Sequence, residues 1–247
     1  TMIFGDSSAA PFDIGSHATR TLYSVSQVLK DAAEELKADI LSYAAGHDFL
    51  DTDPAKLSLE DGIVQGGSRP LPLKELAYEA HLRGKQFLST KCKVPENSLP
   101  FAAQAAEVEV DMELGLVKVL KIAAAHDVGH VVNPRLCEGQ VEGGVLQGVG
   151  WAVREEMTYV EGEGFYNEGF HKYMLPTADD RPEIVSILVE SEDPKGIFGM
   201  KGIGEVGCIP TLPAIFSAVE DATGVRFQEA PLTPDRVLAG LKAAGKI

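Results

Sequence analysis

Apolar residues recur every three or four positions between Thr21 and Ile40, with charged residues between them. This period predicts an amphipathic helix, in which one face packs and the other is solvated. Just before it, residues 13–16 (Asp-Ile-Gly-Ser) offer a glycine and Ser16 as an N-cap, so unpaired backbone N–H groups at the helix start could hold an anion. A capped surface helix without a ligand is the alternative.

The following hundred residues predict short strands and one more helix. Asp61-Gly62 is typical of a two-residue hairpin turn, and Gly115 of a turn between two longer strands. The predicted elements are a hairpin over 57–65, a helix over 71–83, and strands over 108–111 and 116–122. Because helices and strands mix without regular βαβ spacing, we expect an α+β fold with mixed sheets and packed helices. The 247 residues fit one domain or two subdomains, at about 1–125 and 126–247.

Gly139 to Met157 has a helical period but contains Gly143, Gly144, Gly148 and Gly150. Each glycine costs roughly 1 kcal/mol relative to alanine inside a helix. Something must offset that cost, either tight packing against another backbone or the close approach of a ligand. Both explanations stay open. Gln140 and Gln147 are seven residues apart and project from about the same face.

A second glycine-rich stretch, residues 193–207, feeds a predicted helix over 208–223. Glu205 lies within it, in KGIGEVG at 201–207, where a carboxylate is either solvated or positioned for a task. The same letters satisfy the dinucleotide pattern G-x-G-x-x-G. However, no long apolar strand precedes them and a glutamate would repel pyrophosphate, so nicotinamide binding is not expected.

His126 and His130 have the H-x-x-x-H spacing of zinc proteases, but Asp127 replaces the required Glu, and Gly129 with nearby Asn133-Pro134 favours a loop over the required helix. No zinc site is predicted there. Cys92, Cys137 and Cys208 are widely spaced, which argues against iron–sulfur or zinc ligation and favours buried free thiols.

The chain is acidic, with a formal net charge of -15. Binding to phosphate backbones depends on Lys and Arg, so nucleic acid is not an expected partner. The sequence contains no apolar run of membrane-spanning length and does not begin with a secretory signal pattern, so we expect a cytoplasmic protein with no membrane partner.

Taken in order, these segments resemble the molybdenum-binding subunit of the xanthine dehydrogenase and aldehyde oxidase family, in its C-terminal part. The matching stretches are GDSSAAPFDIGSHATR at 5–20, HDVGHVVNPRLCEGQVEGGVLQGVGWAVREEM at 126–157, YMLPTADDRPEI at 173–184, KGIGEVG at 201–207 and PLTPDRVL at 231–238. The G-Q-x-E-G helix start and the G-x-G-E loop are specific when they occur in this order. The resemblance covers nearly the whole chain, and it implies the second molybdenum-cofactor-binding domain of these hydroxylases.

The resemblance implies a role for each matching residue. The stretch containing Gly15, Ser16, Ala18 and Thr19 would hold the pterin and phosphate of a molybdenum cofactor, either molybdopterin or its cytosine dinucleotide. Gln140 and Gly204 would also contact the cofactor, and Glu205 would act as the catalytic base. Some relatives carry serine where this chain has Ala18, so only its backbone could contribute. In the family the pterin dithiolene holds the metal, so no protein ligands to the metal are expected.

The implied activity is hydroxylation of an N-heterocycle or an aldehyde with water-derived oxygen, where a general base makes the attacking oxygen nucleophilic. Relatives carry another molybdopterin-binding half that this sequence lacks. We therefore expect partners that supply that half, iron–sulfur clusters and FAD, and an isolated chain that is inactive. The choice of substrate cannot be predicted. A non-catalytic scaffold or assembly domain of the same fold is the alternative function.

Overall fold

The computed structural model describes residues 6–10, 12, 14–17, 19–46, 48–92 and 97–247. The chain forms two compact units, one of Thr1–Ile14 with Ser24–Pro95 and one of Gly15–Tyr23 with Glu96–Ile247. The chain passes between the two units at residues 14/15, 23/24 and 95/96, whereas we expected two consecutive subdomains divided near residue 125. The physical reason is that one long strand runs through residue 125 and belongs wholly to the second unit.

The first predicted helix is present, but it begins later than Ser16. A π-helical turn, Thr21–Val25, leads into α1, Ser26–Ala44. Thr19 has a left-handed backbone with φ of 62°, which interrupts any helix between Ser16 and Arg20. The N-cap assignment of Ser16 was therefore wrong.

The first unit contains the predicted hairpin. Strands β1 (Ser58–Glu60) and β2 (Ile63–Gln65) pair antiparallel across Asp61 and Gly62, which both have positive φ as a type I′ turn requires. Strand β3, Leu71–Pro72, pairs with β2 and runs into α2, Leu73–Leu82. The core of this unit includes Ile40, Ala44, Leu57, Val64, Leu71 and Leu76.

The second unit is built on a three-stranded sheet. Strand β4 (Ala102–Asp111) pairs antiparallel with β5 (Leu116–Asp127), and β5 pairs parallel with β8, Glu183–Val189. A two-stranded hairpin, β6 (Tyr159–Val160) with β7 (Gly164–Phe165), lies between β5 and β8 in the sequence.

Three helices pack on this sheet: α3 (Pro134–Val153), α4 (Thr211–Thr223) and α5 (Pro234–Ala243). Helix α4 contacts β4, α3 contacts β5 and β8, and α3 and α4 contact each other. Their shared core includes Ile122, Ala124, Val141, Val145, Ile215 and Val219. The mixed sheets and packed helices confirm the α+β class.

Helix α3 starts five residues before the predicted Gly139. The side chain of Asn133 accepts a hydrogen bond from Leu136 N at 3.2 Å, and Pro134 occupies the first helical position. Proline is well tolerated there because its missing N–H would have no helical partner. Across the described part of the chain, no helix is long and apolar enough to cross a membrane.

Candidate active site

Two adjoining cavities of about 520 Å³ and 540 Å³ lie in the second unit. Both are lined by Gln140, Gly204 and Glu205, so they form one groove on either side of these residues. We call it the Glu205 groove. Gly204 and Glu205 are exposed, so the carboxylate lies at an accessible surface between the two cavities.

The loop carrying Glu205 lies directly against the segment before the first helix. The backbone N–H of Glu205 donates to Thr19 Oγ1 at 3.1 Å. A Cβ added to Gly202 would lie 2.2 Å from Thr19 Cγ2 and 2.4 Å from Thr19 O, so only glycine permits this approach. The segment 15–20 and the loop 201–207, which the sequence analysis considered separately, are therefore in direct contact.

The structure brings together most of the predicted site residues. Ser16, Thr19, Gln140, Gly204 and Glu205 all line the Glu205 groove. Gly15 is exposed with φ of 87°, and its carbonyl accepts a hydrogen bond from Arg20 Nη1 at 2.7 Å. Ala18 lies outside the described residues.

Four of the five glycines of α3 divide into two groups, and the fifth, Gly150, packs closely against the side chains of Glu155 and Pro176. A Cβ on Gly144 would lie 2.8 Å from the backbone of Gly207, and one on Gly148 would lie 2.5 Å from Thr211 Cβ. These two glycines serve close packing against the loop and α4, and Gly144 also lines the groove. A Cβ on Gly139 or Gly143 would meet nothing within 4 Å, and both line the groove. For these two positions, access to the groove accounts for the glycine.

Two hydrogen bonds from Cys208 hold the C-terminal side of the Glu205 loop. The carbonyl of Glu205 accepts hydrogen bonds from Cys208 N at 3.3 Å and from Cys208 Sγ at 3.1 Å. Burial is the largest influence on the Cys208 thiol and raises its pKa, which keeps the thiol protonated and able to donate. Burial likewise raises the pKa of Cys137, a thiol that lines the groove, whereas Cys92 in the first unit is exposed, contrary to expectation.

A buried ion pair holds the N-terminal side of the Glu205 loop. Lys201 Nζ lies 2.5 Å from Asp127 Oδ2 at the end of β5, and both side chains are about nine-tenths buried. Asp127 Oδ1 also accepts from Gly129 N at 3.1 Å. A Cβ on Gly129 would lie 2.3 Å from Gly199 O, so this glycine permits the close antiparallel bridge between Gly129 and Met200.

A polar network behind the loop was not predicted from the sequence. Gln104 Nε2 donates to Gly207 O at 2.8 Å and lies 3.2 Å from His126 Nε2, while Thr211 Oγ1 donates to Gln104 Oε1 at 2.7 Å. One signal was available: Gln104 is a polar residue on the face of β4 that also carries Ala106, Val108 and other packed apolar residues.

The donor set of the groove suits a polar, nitrogen-rich cofactor better than a bare metal ion. Gln140 and Gln147 present amides that both donate and accept, beside a wall left open at Gly139 and Gly143. Arg20 places a cationic side chain in the same groove, where an anionic group would be stabilised. Among the described residues, no group of three or more His, Cys, Asp or Glu could hold a metal ion.

Known proteins are similar to this chain in sequence and in fold. The chain is 36% identical over 251 residues to the putative xanthine dehydrogenase molybdenum-binding subunit XdhA of Escherichia coli K12. The match covers 98% of this chain and 33% of the relative. The crystal structure of quinoline 2-oxidoreductase from Pseudomonas putida 86 matches with a TM-score of 0.81 and 26% identity, over 95% of this chain and 32% of that one.

A further match is to fold alone. The reconstituted CO dehydrogenase from Oligotropha carboxidovorans is 21% identical with a TM-score of 0.77, over 97% of this chain and 31% of that one. The chain spans about a third of the length of the curated relatives it matches. The molybdopterin cofactor-binding domain family matches residues 1–182. This match places the chain in the molybdopterin cofactor-binding domain family, and the fold agrees with that assignment.

Proposed function

We propose that this chain supplies one side of the molybdenum-cofactor site of a hydroxylase and that Glu205 is its catalytic base. The observation that carries this proposal is the place of Glu205: an exposed carboxylate between two cavities, on a loop whose backbone is held by Thr19 and Cys208. A merely solvated glutamate would have no need of so many backbone anchors, and general-base catalysis requires that the carboxylate be held in place.

The cofactor contacts would come from both walls of the Glu205 groove. The amide of Gln140 and the open wall at Gly139 and Gly143 would receive the pterin, while Ser16 and Thr19 would contribute polar contacts on the other wall. When bound, the molybdenum cofactor supplies the oxidising centre that takes an electron pair from the substrate.

Glu205 would accept a proton from the attacking water at a carboxylate oxygen. Because the residue is exposed, it could then release that proton to solvent. Thr19 and Cys208 would keep the carboxylate in position through the backbone of the loop. These residues thus orient the base and move one proton, and they contribute no redox chemistry of their own.

An N-heterocycle is the favoured substrate class. Two of the three similar proteins reported above are named for xanthine and quinoline, which are both aromatic N-heterocycles. The third, a CO dehydrogenase, is similar in fold alone and carries no weight in this choice. An aldehyde substrate is the alternative, and turnover of the assembled enzyme with one compound of each class distinguishes the two.

The partners we propose are the remaining molybdopterin-binding portion and the iron–sulfur and FAD-carrying subunits or domains. A chain that presents one open groove makes too few contacts to offset the ordering of a polar cofactor. The isolated chain is therefore expected to fold but to contain no molybdenum and to be inactive, and coexpression with the remaining portion should restore both. Stoichiometric molybdenum in the isolated chain would contradict this proposal.

Molybdenum and pterin analysis of the natively assembled protein tests the function itself. About one molybdenum and one pterin per chain is the expected result. Absence of both from the assembled protein would favour the alternative, a non-catalytic scaffold of the same fold.

A further inference from the structure

The amide of Gln104 has only one orientation that its surroundings allow. Gly207 O lies 2.8 Å from one terminal atom of the side chain, and a carbonyl oxygen can only accept, so that atom must be the donating Nε2. Thr211 Oγ1 lies 2.7 Å from the other terminal atom, Oε1, and 3.1 Å from Gly207 O, and its single proton goes to the nearer acceptor, Gln104 Oε1. Both terminal atoms of the Gln104 side chain, which extends from β4, are therefore hydrogen-bonded to residues at the start of α4 or just before it.

The same amide determines the proton position on His126. The second hydrogen of Gln104 Nε2 points to His126 Nε2 at 3.2 Å, which makes that ring nitrogen an acceptor. The ring proton then lies on Nδ1, which is buried and makes no hydrogen bond within the described part of the chain. His126 is fully buried, and desolvation lowers its pKa, so the neutral ring fits this network.

The network acts on Gly207, which cannot move without moving the Glu205 loop. A Cβ on Gly207 would lie 3.2 Å from Gln140 O and 3.3 Å from Gly144 Cα, so its backbone is in close contact with α3. On the other side it is held by Gln104. The next residue, Cys208, donates to the carbonyl of Glu205.

We propose that Gln104 is a positioning residue for Glu205, oriented by Thr211 and His126 and acting through the carbonyl of Gly207. This inference rests on the proposed role of Glu205. It predicts that loss of the Gln104 amide lowers kcat, because a small displacement of a catalytic group costs up to about 100-fold in rate. Substrate and cofactor binding should change little, because Gln104 does not line the groove.

The test is steady-state kinetics on the assembled holoenzyme with Gln104→Met, which keeps the chain length but removes both hydrogen-bonding groups. We expect kcat to fall about 10-fold or more, with KM and molybdenum content within about 2-fold of wild type. In a Glu205→Gln background the same substitution should lower kcat by less than about 2-fold, since groups that act through one another are not additive.

Substitutions of Thr211 provide a second measurement should Gln104→Met fail to fold. Thr211→Val removes a hydroxyl that orients Gln104 and also lies 3.1 Å from Gly207 O, so it should lower kcat, whereas Thr211→Ser keeps the hydroxyl and should regain most of the loss. In a Gln104→Met background Thr211→Val should lower kcat by less than about 2-fold if the hydroxyl acts through Gln104. Thr223→Val is the matched control on the same helix: Thr223 Oγ1 donates to Val219 O at 2.7 Å and accepts from Val225 N at 3.1 Å, both at the far end of α4 from Thr211. Its kcat should equal that of wild type.

The outcomes separate this inference from the proposed function. If Gln104→Met lowers kcat by the same factor with and without Glu205→Gln, or if Thr211→Val and Thr223→Val have equal effects, Gln104 does not act through Glu205 and only this inference fails. If Glu205→Gln alone leaves kcat unchanged, the proposed function fails, and this inference fails with it.

Discussion

The backbone N–H of Glu205 donates to the hydroxyl oxygen of Thr19 across 186 positions of the chain, at 3.1 Å. Thr19 has a φ of 62°, which is unusual for a β-branched residue and is held in place only by its surroundings. The contact exists because Gly202 lacks a side chain at the point where Thr19 passes. Strain and close approach therefore occur together at the candidate base.

The Thr19 contact predicts that Gly202 and Gly204 respond differently to alanine. A Cβ on Gly202 would collide with Thr19, whereas one on Gly204 would lie 3.7 Å from Thr19 Cα, an ordinary contact. Gly202→Ala should lower the free energy of unfolding by about 1–3 kcal/mol. Gly204→Ala should change it by less than about 1 kcal/mol. Thermal or denaturant unfolding of the two variants measures this, and equal effects would show that Thr19 does not pack on Gly202.

The neighbouring glycines Gly143 and Gly144 of α3 form a second matched pair. Gly143→Ala should raise the free energy of unfolding by roughly 0.5–1 kcal/mol, because alanine favours the helix and its Cβ meets nothing. Gly144→Ala should lower it by about 1–3 kcal/mol, because its Cβ would overlap the backbone of Gly207. Denaturant unfolding should therefore give shifts of opposite sign, and a destabilising Gly143→Ala would mean that this wall of the groove is closed.

Much of this architecture followed from local sequence patterns. The hairpin at Asp61-Gly62 forms as predicted, because both positions need a positive φ that aspartate and glycine tolerate. The glycine-rich loop ending before α4 was also predicted correctly, and its regular structure is a single 3₁₀ turn at Ile197–Gly199. Both features depend on neighbouring residues alone.

Other features depend on contacts between distant residues and could not be predicted in this way. Asn133-Pro134 was taken as a loop signal, yet the same pair caps α3, because an N-cap and a first-turn proline use the residues that turns use. The glycines of α3 could not be divided between packing and groove before Gly207 was placed against Gly144. The role of Gln104 depends on Gly207, 103 positions away.

The neutral, buried His126 predicts a pH dependence of stability. Desolvation lowers its pKa below the ordinary value of 6.5, so the unfolded chain binds a proton more readily than the folded one. Stability from this group is present above about pH 6.5 and is lost as pH falls from there through the folded pKa.

Replacement of His126 tests that dependence. His126→Gln should flatten the fall in unfolding free energy below pH 6.5, whereas His81→Gln, at an exposed position on α2, should keep the wild-type slope. Urea unfolding at a series of pH values provides the measurement. An unchanged slope in His126→Gln would mean that the ring is not buried in its neutral form.

Gln140 lies where both cavities meet, so its amide should act on cofactor binding. Gln140→Ala in the assembled enzyme should lower molybdenum occupancy more than it lowers turnover per bound molybdenum, because the loss of a hydrogen bond to the pterin weakens binding by about 0.5–1.5 kcal/mol. Metal analysis and activity assays on the same samples separate the two quantities. Full occupancy in the variant would exclude a pterin contact for this residue.

The most direct test of the account is the turnover of Glu205→Gln in the assembled enzyme, with molybdenum content measured on the same preparation. Glutamine keeps the shape of the side chain and the backbone contacts to Thr19 and Cys208, but it cannot accept the proton. The account predicts unchanged molybdenum content and a kcat lowered by at least about 100-fold, as expected for the loss of a general base. Near-normal turnover at full molybdenum content would contradict it.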